Sequence, residues 1–440
     1  MSMLLNGVSG LNAANSALNV VGQNVANAAV KGYSRQTVYL ETAAGGLNGV
    51  KVTKVDRIVN DFLNDDIWRT SSDLSYYEGF QSYLGYLEQI LGTESLNLND
   101  AVAGISAAFN AAMSAPDSNA YRQQVLSSAQ ALVQDLSQIN GALSDQQNKL
   151  SKELSNLADN SSSLLQQVAE LNSKISKAQA LGQPTAELAD AREVLITELS
   201  GYMGVDIVDP GDGNINISSK NGAPLVVGSK SAAVSVNGTA VNVSFNGQNF
   251  GLNEFVGGRI GGLLNVDVNV LQPSKLQLEQ IVTNIADSVN AALAEGFDLN
   301  GQPGEPLFLY NPADVLGTIR VNPDLQPDGL AFIGNDGFGN PAGGRGDNGN
   351  IANLVASLNG GTAGYDTLIG DLAIQSKQVQ SSVKTAQVLN NNAVAARDSV
   401  SGVNLDEEAA NLMYYQQLYD ANARVISTAD QLFKTLINIF

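Results

Sequence analysis

Residues 405–440 read LDEEAANLMYYQQLYDANARVISTADQLFKTLINIF. Apolar side chains recur here at alternating steps of three and four positions, which is the period of one face of an α-helix. A second apolar row runs beside the first, so the stripe is broad enough to pack against more than one neighbouring helix. This segment is therefore predicted to be a helix that assembles with others. Its candidate interface residues are Leu405, Leu412, Tyr415, Leu418, Tyr419, Val425, Ile426, Leu432, Phe433, Leu436 and Phe440.

The opposite end of the chain carries a weaker version of the same pattern. Residues 1–30 contain no charged side chain, and their larger apolar residues also fall three or four positions apart. Burying so few side chains in a bare two-helix pair offsets little of the entropy lost when the backbone is ordered. We therefore expect both ends to fray in the free subunit and to order in an intermolecular coiled coil. The candidate interface residues at this end are Leu4, Val8, Leu11, Leu18, Val21 and Val25.

The composition excludes several classes of function. Lys and Arg total 23 against 43 Asp and Glu, so the chain carries a net charge of −20 and should repel nucleic acid and anionic membrane surfaces. It contains neither cysteine nor histidine, which removes disulfides, thiol chemistry and the hydrolase triad that depends on an imidazole. We expect no catalytic site, no cofactor, no metal and no small-molecule substrate.

Between the two ends, the pattern predicts a mainly α-helical chain with a smaller β-rich part. A nearly uninterrupted stripe over residues 117–180 predicts a helix roughly 90 Å long, and Asn-Gly pairs between short β-rich runs predict antiparallel hairpins. The predicted units are 1–57, an N-terminal coiled-coil segment with two short strands around a Gly45-Gly46 turn; 58–200, a long helical domain; 201–266, a β-rich outer module; 267–296, a helix returning to the helical domain; 297–364, an irregular Gly/Pro-rich segment; 365–403, another helix of the helical domain; and 404–440, the C-terminal coiled-coil helix.

Two short motifs do not indicate a site. Gly344, Gly346 and Gly349 match the spacing of a dinucleotide-binding loop, but no strand is predicted before them. The run Asp406-Glu407-Glu408 has the ligand chemistry of a metal site. Acidic residues at a helix start also interact favourably with the helix dipole, and we prefer that interpretation.

Motifs at both ends resemble the terminal signatures of bacterial flagellar axial proteins. At the N-terminus they are Ser9-Gly10-Leu11-Asn12-Ala13-Ala14, Gln23-Asn24-Val25-Ala26-Asn27 and Gly32-Tyr33-Ser34-Arg35-Gln36. At the C-terminus they are Ser401-Gly402-Val403-Asn404-Leu405-Asp406-Glu407-Glu408-Ala409-Ala410-Asn411-Leu412 and Thr428-Ala429-Asp430-Gln431-Leu432-Phe433. Within these proteins, the motifs are most similar to the family of the first hook-associated protein, the subunit of the hook–filament junction.

The resemblance implies a structural subunit rather than an enzyme. Its terminal helices would form an inner coiled-coil layer, with a helical middle layer and a β-rich outer module around it. The implied partners are copies of the chain itself in a helical ring, the hook protein, the second hook-associated junction protein, and an export chaperone on the C-terminal region. Members of the family are exported by the flagellar type III apparatus without a cleaved signal peptide. The implied location is therefore extracellular, at the hook–filament junction.

Two alternatives stay open at this point. A hook or distal-rod subunit of the same axial family would share the terminal motifs, but the long helix over 117–180 argues against it. A secreted carboxylate-based glycosidase or an adhesin would use its ends only to oligomerise. An enzyme of that kind would need paired carboxylates in a cleft, for which residues 296–350 are the candidate region.

Overall fold

The computed structural model describes residues 2–43, 49–93 and 96–438. The fold class is confirmed, because long helices dominate and the strands form small antiparallel sheets. The helices are α1 (Ser2–Asn27), α2 (Asp61–Gly92), α3 (Leu98–Ala112), α4 (Asn119–Ala180), α5 (Ala186–Tyr202), α6 (Gly258–Val266), α7 (Gln272–Ala294), α8 (Val315–Thr318), α9 (Ile351–Leu358), α10 (Ala363–Ser401) and α11 (Leu405–Ile437). The strands are β1 (Gln36–Thr42), β2 (Val50–Arg57), β3 (Val205–Val208), β4 (Asn216–Ser219), β5 (Pro224–Val227), β6 (Lys230–Ser231), β7 (Ala233–Asn237), β8 (Ala240–Phe245), β9 (Gln248–Leu252), β10 (Phe308–Leu309) and β11 (Arg320–Val321).

The longest element, α4, is the scaffold on which much of the chain packs. Its 62 residues form one continuous helix, so the helix predicted over 117–180 is confirmed. The apolar stripe is buried from Val125 to Ala178, including Leu150 and Leu154 at the irregular step of the pattern. The elements that pack against this helix include α3, α5, α8 and the edges of the β-rich sheets.

A second helical layer is built on α2. Helix α10 runs antiparallel along it, since the Tyr365 hydroxyl donates to the Leu91 carbonyl (2.6 Å) near one end and the Asn390 amide donates to the Thr70 hydroxyl (3.2 Å) near the other. Helices α5 and α6 pack on α2 as well. Across the described parts of the chain, we find no helix whose length and hydropathy suit it to crossing a bilayer.

Short antiparallel sheets complete the fold. Strands β3 to β6 form one sheet in sequence order and β7 to β9 form another. The Asn246-Gly247 turn behaves as predicted, because both residues have positive φ (49° and 80°), as a tight hairpin turn requires. Strands β1 and β2 pair antiparallel near the N-terminus. The predicted Gly45-Gly46 turn between them lies outside the described residues.

The region 201–266 is not wholly β-rich. Helix α6 occupies its end and continues through a π-helical turn at Asp267–Leu271 into α7. Glycines lower the intrinsic helix propensity of this stretch, which is why the sequence did not indicate a helix. The structure uses them for close packing: a side chain on Gly262 would overlap the backbone carbonyl of Tyr76 in α2.

The segment 297–364 contains more regular structure than the Gly/Pro-rich sequence indicates. It includes α8, α9 and the paired strands β10 and β11. Leu330, Ala331 and Phe332 are completely buried, and the Phe332 ring meets Phe109 of α3 edge to face. The segment therefore belongs to the helical core. The division of the chain into seven units stays a prediction.

Candidate assembly interface

The two terminal helices, α1 and α11, pack along each other within one chain. The side of α1 that is buried carries small residues, so the two backbones approach closely. A Cβ atom added to Gly7 would lie 2.7 Å from the Ile426 side chain, and one added to Gly10 would overlap the side chain of Asn422. The buried residues of α1 are Gly7, Gly10, Ala13, Ala14, Ala17, Val20, Val21 and Asn24.

The predicted interface residues fall into three groups in the structure. Val21 is buried. The half-buried residues, at the edges of the helix pair, are Leu11, Leu18, Leu412, Tyr415, Leu418, Val425 and Ile426. The exposed residues are Leu4, Val8, Val25, Leu405, Tyr419, Leu432, Phe433 and Leu436. Phe440 lies outside the described residues. The structure thus leaves much of the predicted stripe accessible, and its role in assembly stays a prediction.

The accessible apolar surface is concentrated on α11. Among the described residues of this 33-residue helix, Glu408 alone is classed as buried. Leu432, Phe433, Leu436 and Ile437 near its C-terminal end are each more than half exposed. An exposed apolar surface of this kind is typical of a protein–protein interface.

A polar cluster fixes the terminal helices to the rest of the molecule. We call it the joint; it consists of Gly32, Ser34, Arg57, Asp190 and Arg397. The Arg397 guanidinium is almost completely buried and donates to the Gly32 carbonyl (3.1 Å) and the Ser34 hydroxyl (3.0 Å). Asp190 accepts from the Ser34 amide (3.3 Å) and from the Arg57 guanidinium (2.7 Å). Four distant parts of the chain therefore meet in the joint.

The electrostatics of the joint favour fixed charges. Burial alone would lower the pKa of Arg57, but the adjacent carboxylates of Glu193 and Asp190 raise it overall. Burial, followed by the nearby Asp190 and Glu408 carboxylates, raises the pKa of Tyr33 to about 12. The neutral Tyr33 hydroxyl donates to Asn24 Oδ1 (2.9 Å). Arg57 and Tyr33 therefore each keep one protonation state at neutral pH.

Asn24 links the joint to the β1–β2 hairpin. Its side-chain amide donates to the Gln36 carbonyl (2.9 Å), and its oxygen also accepts from the Gln36 backbone amide (3.0 Å). This pairing resembles one rung of a β-ladder, and it holds the end of α1 against the start of β1. The angle at which α1 leaves the molecule is therefore set by hydrogen bonds and not by apolar packing alone.

The sequence interpretation missed the role of the joint residues, although one signal was present. Leu372, Val379, Ala386 and Ala393 are the buried face of α10 at seven-residue spacing, and Arg397 follows on the same face. A charged residue on an otherwise apolar helix stripe indicates a buried polar partner. The partner itself is not visible from the sequence, because Ser34 lies 363 positions away.

Replacing Arg397 by alanine is expected to open the joint. The change leaves the Gly32 and Tyr33 carbonyls and the Ser34 hydroxyl without their donor, which should cost about 3 kcal/mol. Hydrogen exchange at the Ser34 and Arg35 amides should then accelerate about a hundredfold. Arg69→Ala is the control, because Arg69 is half exposed and forms ion pairs with Asp66 and Asp73 on the surface of α2. Unchanged exchange at Ser34 and Arg35 in the Arg397 variant would contradict the role of the joint.

Comparison with known proteins identifies the family. The helical domain of the flagellar hook-associated protein FlgK matches residues 84–308, just over half of the chain. The C-terminal family of flagellar basal body rod FlgEFG proteins matches residues 397–439, and the flagella basal body rod protein family matches residues 4–33. The three matches together include both terminal helices and the α4 scaffold.

Individual relatives agree with these matches. The chain is similar over its whole length to flagellar hook-associated protein 1 of Salmonella typhimurium strain LT2 (28% identity, 100% of both chains). It is similar to the protein of that name from Bacillus subtilis strain 168 (25% identity, 97% of this chain and 96% of the other). The solved flagellar hook junction protein FlgK from Burkholderia pseudomallei superposes with a TM-score of 0.51 at 25% identity, over 57% of this chain and 47% of that one. The chain therefore belongs to the FlgK family of flagellar hook-associated proteins, the structural proteins of the hook–filament junction.

Proposed function

We propose that this protein is an adaptor that joins the flagellar hook to the filament by assembling with copies of itself in a helical ring. The observation that carries the proposal is the exposed apolar stripe of α11. Although the small residues of α1 pack against α11, several larger side chains of both helices, such as Val8 and Leu432, remain exposed. Neighbouring copies that bury these side chains would supply the apolar contact that a single chain lacks.

The two open ends of such a ring would contact different proteins. Flagellar axial proteins self-assemble and associate with hook components. We infer that one end of the ring binds the hook protein and the other binds the second hook-associated junction protein. The joint supports this arrangement, since each subunit would present its terminal helix pair at the same fixed angle.

The same apolar stripe needs protection before assembly. A free subunit that exposes Leu432, Phe433 and Leu436 presents a surface prone to aggregation. We infer that an export chaperone covers the C-terminal region until the subunit is exported by the flagellar type III route, without a cleaved signal peptide. The final location would be extracellular, at the hook–filament junction.

A structural role is preferred to the alternatives. The match to the FlgK helical domain over residues 84–308 favours a junction protein over a hook or distal-rod subunit. The relatives are structural flagellar proteins, which supports a protein without catalytic activity over a glycosidase. We propose no cofactor and no small-molecule substrate.

Deleting the gene is expected to stop assembly after the hook. Cells should carry finished hooks without filaments and should secrete flagellin monomers into the medium, because flagellin would have no junction on which to polymerise. Electron microscopy of isolated flagella and immunoblots of the medium measure the two effects. The wild-type gene on a plasmid is the control and should restore filaments. Cells without any hooks would indicate a rod or hook subunit, and cells with normal filaments would contradict an axial role.

A further inference from the structure

A small polar cavity lies between the terminal helices and the first strand. Its volume is about 190 Å³, several times the ~30 Å³ that one water occupies in the liquid. The cavity can therefore hold a side chain. The polar residues in its wall are Asn24 of α1; Arg35, Gln36 and Thr37 at the start of β1; and Glu408, Asn411 and Tyr415 of α11.

Glu408 is the unusual member of this wall. It is 2% exposed, whereas Asp406 and Glu407 beside it on the same helix turn are exposed. No group within the described residues donates a hydrogen bond to its Oε2 atom. Burying a carboxylate oxygen without a donor is costly, so the first turn of α11 would not place Glu408 inward for its own stability.

Arg35 presents the complementary atom in the same wall. One of its terminal nitrogens pairs with the exposed Glu407. Its Nε is buried, and within the described parts of the chain it has no acceptor. Two residues of the cavity wall thus carry one unused carboxylate acceptor and one unused guanidinium donor, and both atoms are shielded from solvent in the single chain. A single group that satisfies both must donate one hydrogen bond and accept another.

We propose that this cavity binds the side-chain carboxamide of an asparagine or glutamine from a second copy of the chain. The amide N–H would donate to Glu408 Oε2, and the amide oxygen would accept from Arg35 Nε. A cation attracted by Glu408 would be repelled by the Arg35 guanidinium. An anion attracted by Arg35 would be repelled by the carboxylates of Glu408 and Glu407. A neutral group with a donor beside an acceptor avoids both conflicts.

A second copy fits as the source, and this step rests on the proposed function. The cavity walls belong to the same two helices that carry the proposed interface, so a neighbouring subunit seated on that interface would reach the cavity. The exposed faces of these helices are rich in carboxamides. They include Asn12, Asn15, Asn19, Gln23, Gln416 and Gln417.

A competition experiment tests the proposal. The wild-type chain and a Glu408→Met variant, carrying different tags, are expressed together in the deletion strain. The ratio of variant to wild type in isolated flagella is divided by the same ratio in the medium, which corrects for export. We expect the Glu408 variant to be depleted about tenfold or more, the size of a lost hydrogen bond to a charged group. Asp406→Met, at an exposed position in the same helix turn, is the control and should be incorporated normally.

The outcomes separate this proposal from the proposed function. Equal incorporation of Glu408→Met would overturn the carboxamide site. A purified Glu408→Met subunit that melts below wild type would also overturn it, because the carboxylate would then have a partner inside its own subunit. A wild-type chain absent from isolated flagella would contradict the proposed function instead.

Chemical protection provides a second measurement that does not alter Glu408. The chain contains no cysteine, so Thr37→Cys, in the cavity wall, creates a single reactive thiol. Its reaction with a maleimide should slow at least about tenfold in assembled flagella relative to the free subunit, because a seated side chain excludes the reagent. Phe338→Cys, at a highly exposed loop position, is the control for reagent access. Equal reactivity of the Thr37 variant in both states would show the cavity open and overturn the proposal.

Discussion

Replacing Leu432 by aspartate is expected to abolish incorporation of the subunit into flagella without destabilising the subunit itself. Leu432 is 56% exposed on α11, so the carboxylate meets water in the free chain and costs little there. In the proposed ring, the same position would be buried against a neighbouring copy. Burying a carboxylate without a partner should weaken subunit association about a hundredfold or more.

A matched leucine provides the control for this prediction. Leu276 of α7 is 65% exposed and lies on the helical domain, away from the terminal pair. Leu276→Asp should be incorporated normally. Incorporation is measured by immunoblotting isolated flagella, and subunit stability by circular dichroism melting of the purified chain. If Leu432→Asp is incorporated as well as Leu276→Asp, the exposed stripe of α11 is not the assembly surface.

The second large effect is expected at Arg122 in the helical domain. This side chain is completely buried and holds the segment 297–364 against α4. Its Nε donates to the Pro116 carbonyl (2.6 Å), and one terminal nitrogen donates to the Leu330 carbonyl (2.6 Å). The guanidinium also lies over the Phe332 ring, 4.4 Å from the centroid.

The cation pays a desolvation penalty at this site. Burial, followed by the nearby Arg345 charge, lowers the pKa of Arg122 to about 10, which still leaves it charged at neutral pH. No carboxylate within the described residues forms an ion pair with it. Carbonyl oxygens and an aromatic face therefore stabilise the charge, and they in turn depend on the arginine for a donor.

Arg122→Ala is expected to lower the free energy of local opening of the segment 297–364 by about 3–5 kcal/mol. The loss has two sources: backbone carbonyls left without a donor, and a cavity where the long side chain packed. Hydrogen exchange at the amides of Ala331 and Phe332 measures the local free energy of opening. Arg345→Ala is the control, since Arg345 is exposed in the same segment. This change should alter the free energy of opening by less than ~0.5 kcal/mol. Equal exchange in the two variants would contradict the role of Arg122.

Periodic apolar stripes were sufficient to predict the long helices. In α4 the three-and-four spacing extends from Val125 to Ala178, and the structure buries that face throughout. The pattern works here because one side of a long helix must meet a core along its whole length. Short α9 shows the limit of such patterns. Ile351, Leu354 and Leu358 have helical spacing and are buried, but a stretch this short within a Gly-rich region gave too weak a signal.

The face of α1 that is buried within the chain was predicted only in part. The sequence interpretation selected the larger apolar residues, of which Val21 is buried, whereas Leu4 and Val8 are exposed. The buried face also includes Gly7 and Gly10. Hydropathy gives little weight to such residues, yet small side chains are what allow two helices to pack closely.

Polar contacts between distant segments could not be predicted at all. The Ser34 amide and Asp190 lie 156 positions apart, and Arg122 lies 208 positions from the carbonyl of Leu330. Each residue taken alone is an ordinary charged or polar residue on a helix or loop. The contacts they make depend on which helices, strands and loops the fold brings together. The local sequence pattern contains no information on that arrangement.

The most direct test of the central claim compares the terminal helices before and after assembly. Hydrogen exchange is measured for α1 and α11 in dilute monomeric subunit and in isolated flagella, with α4 as the internal reference. If neighbouring copies complete the apolar surfaces of these helices, both should exchange much faster than α4 in the free subunit and become protected in flagella. Full protection of both helices in the dilute monomer, unchanged on assembly, would contradict the claim.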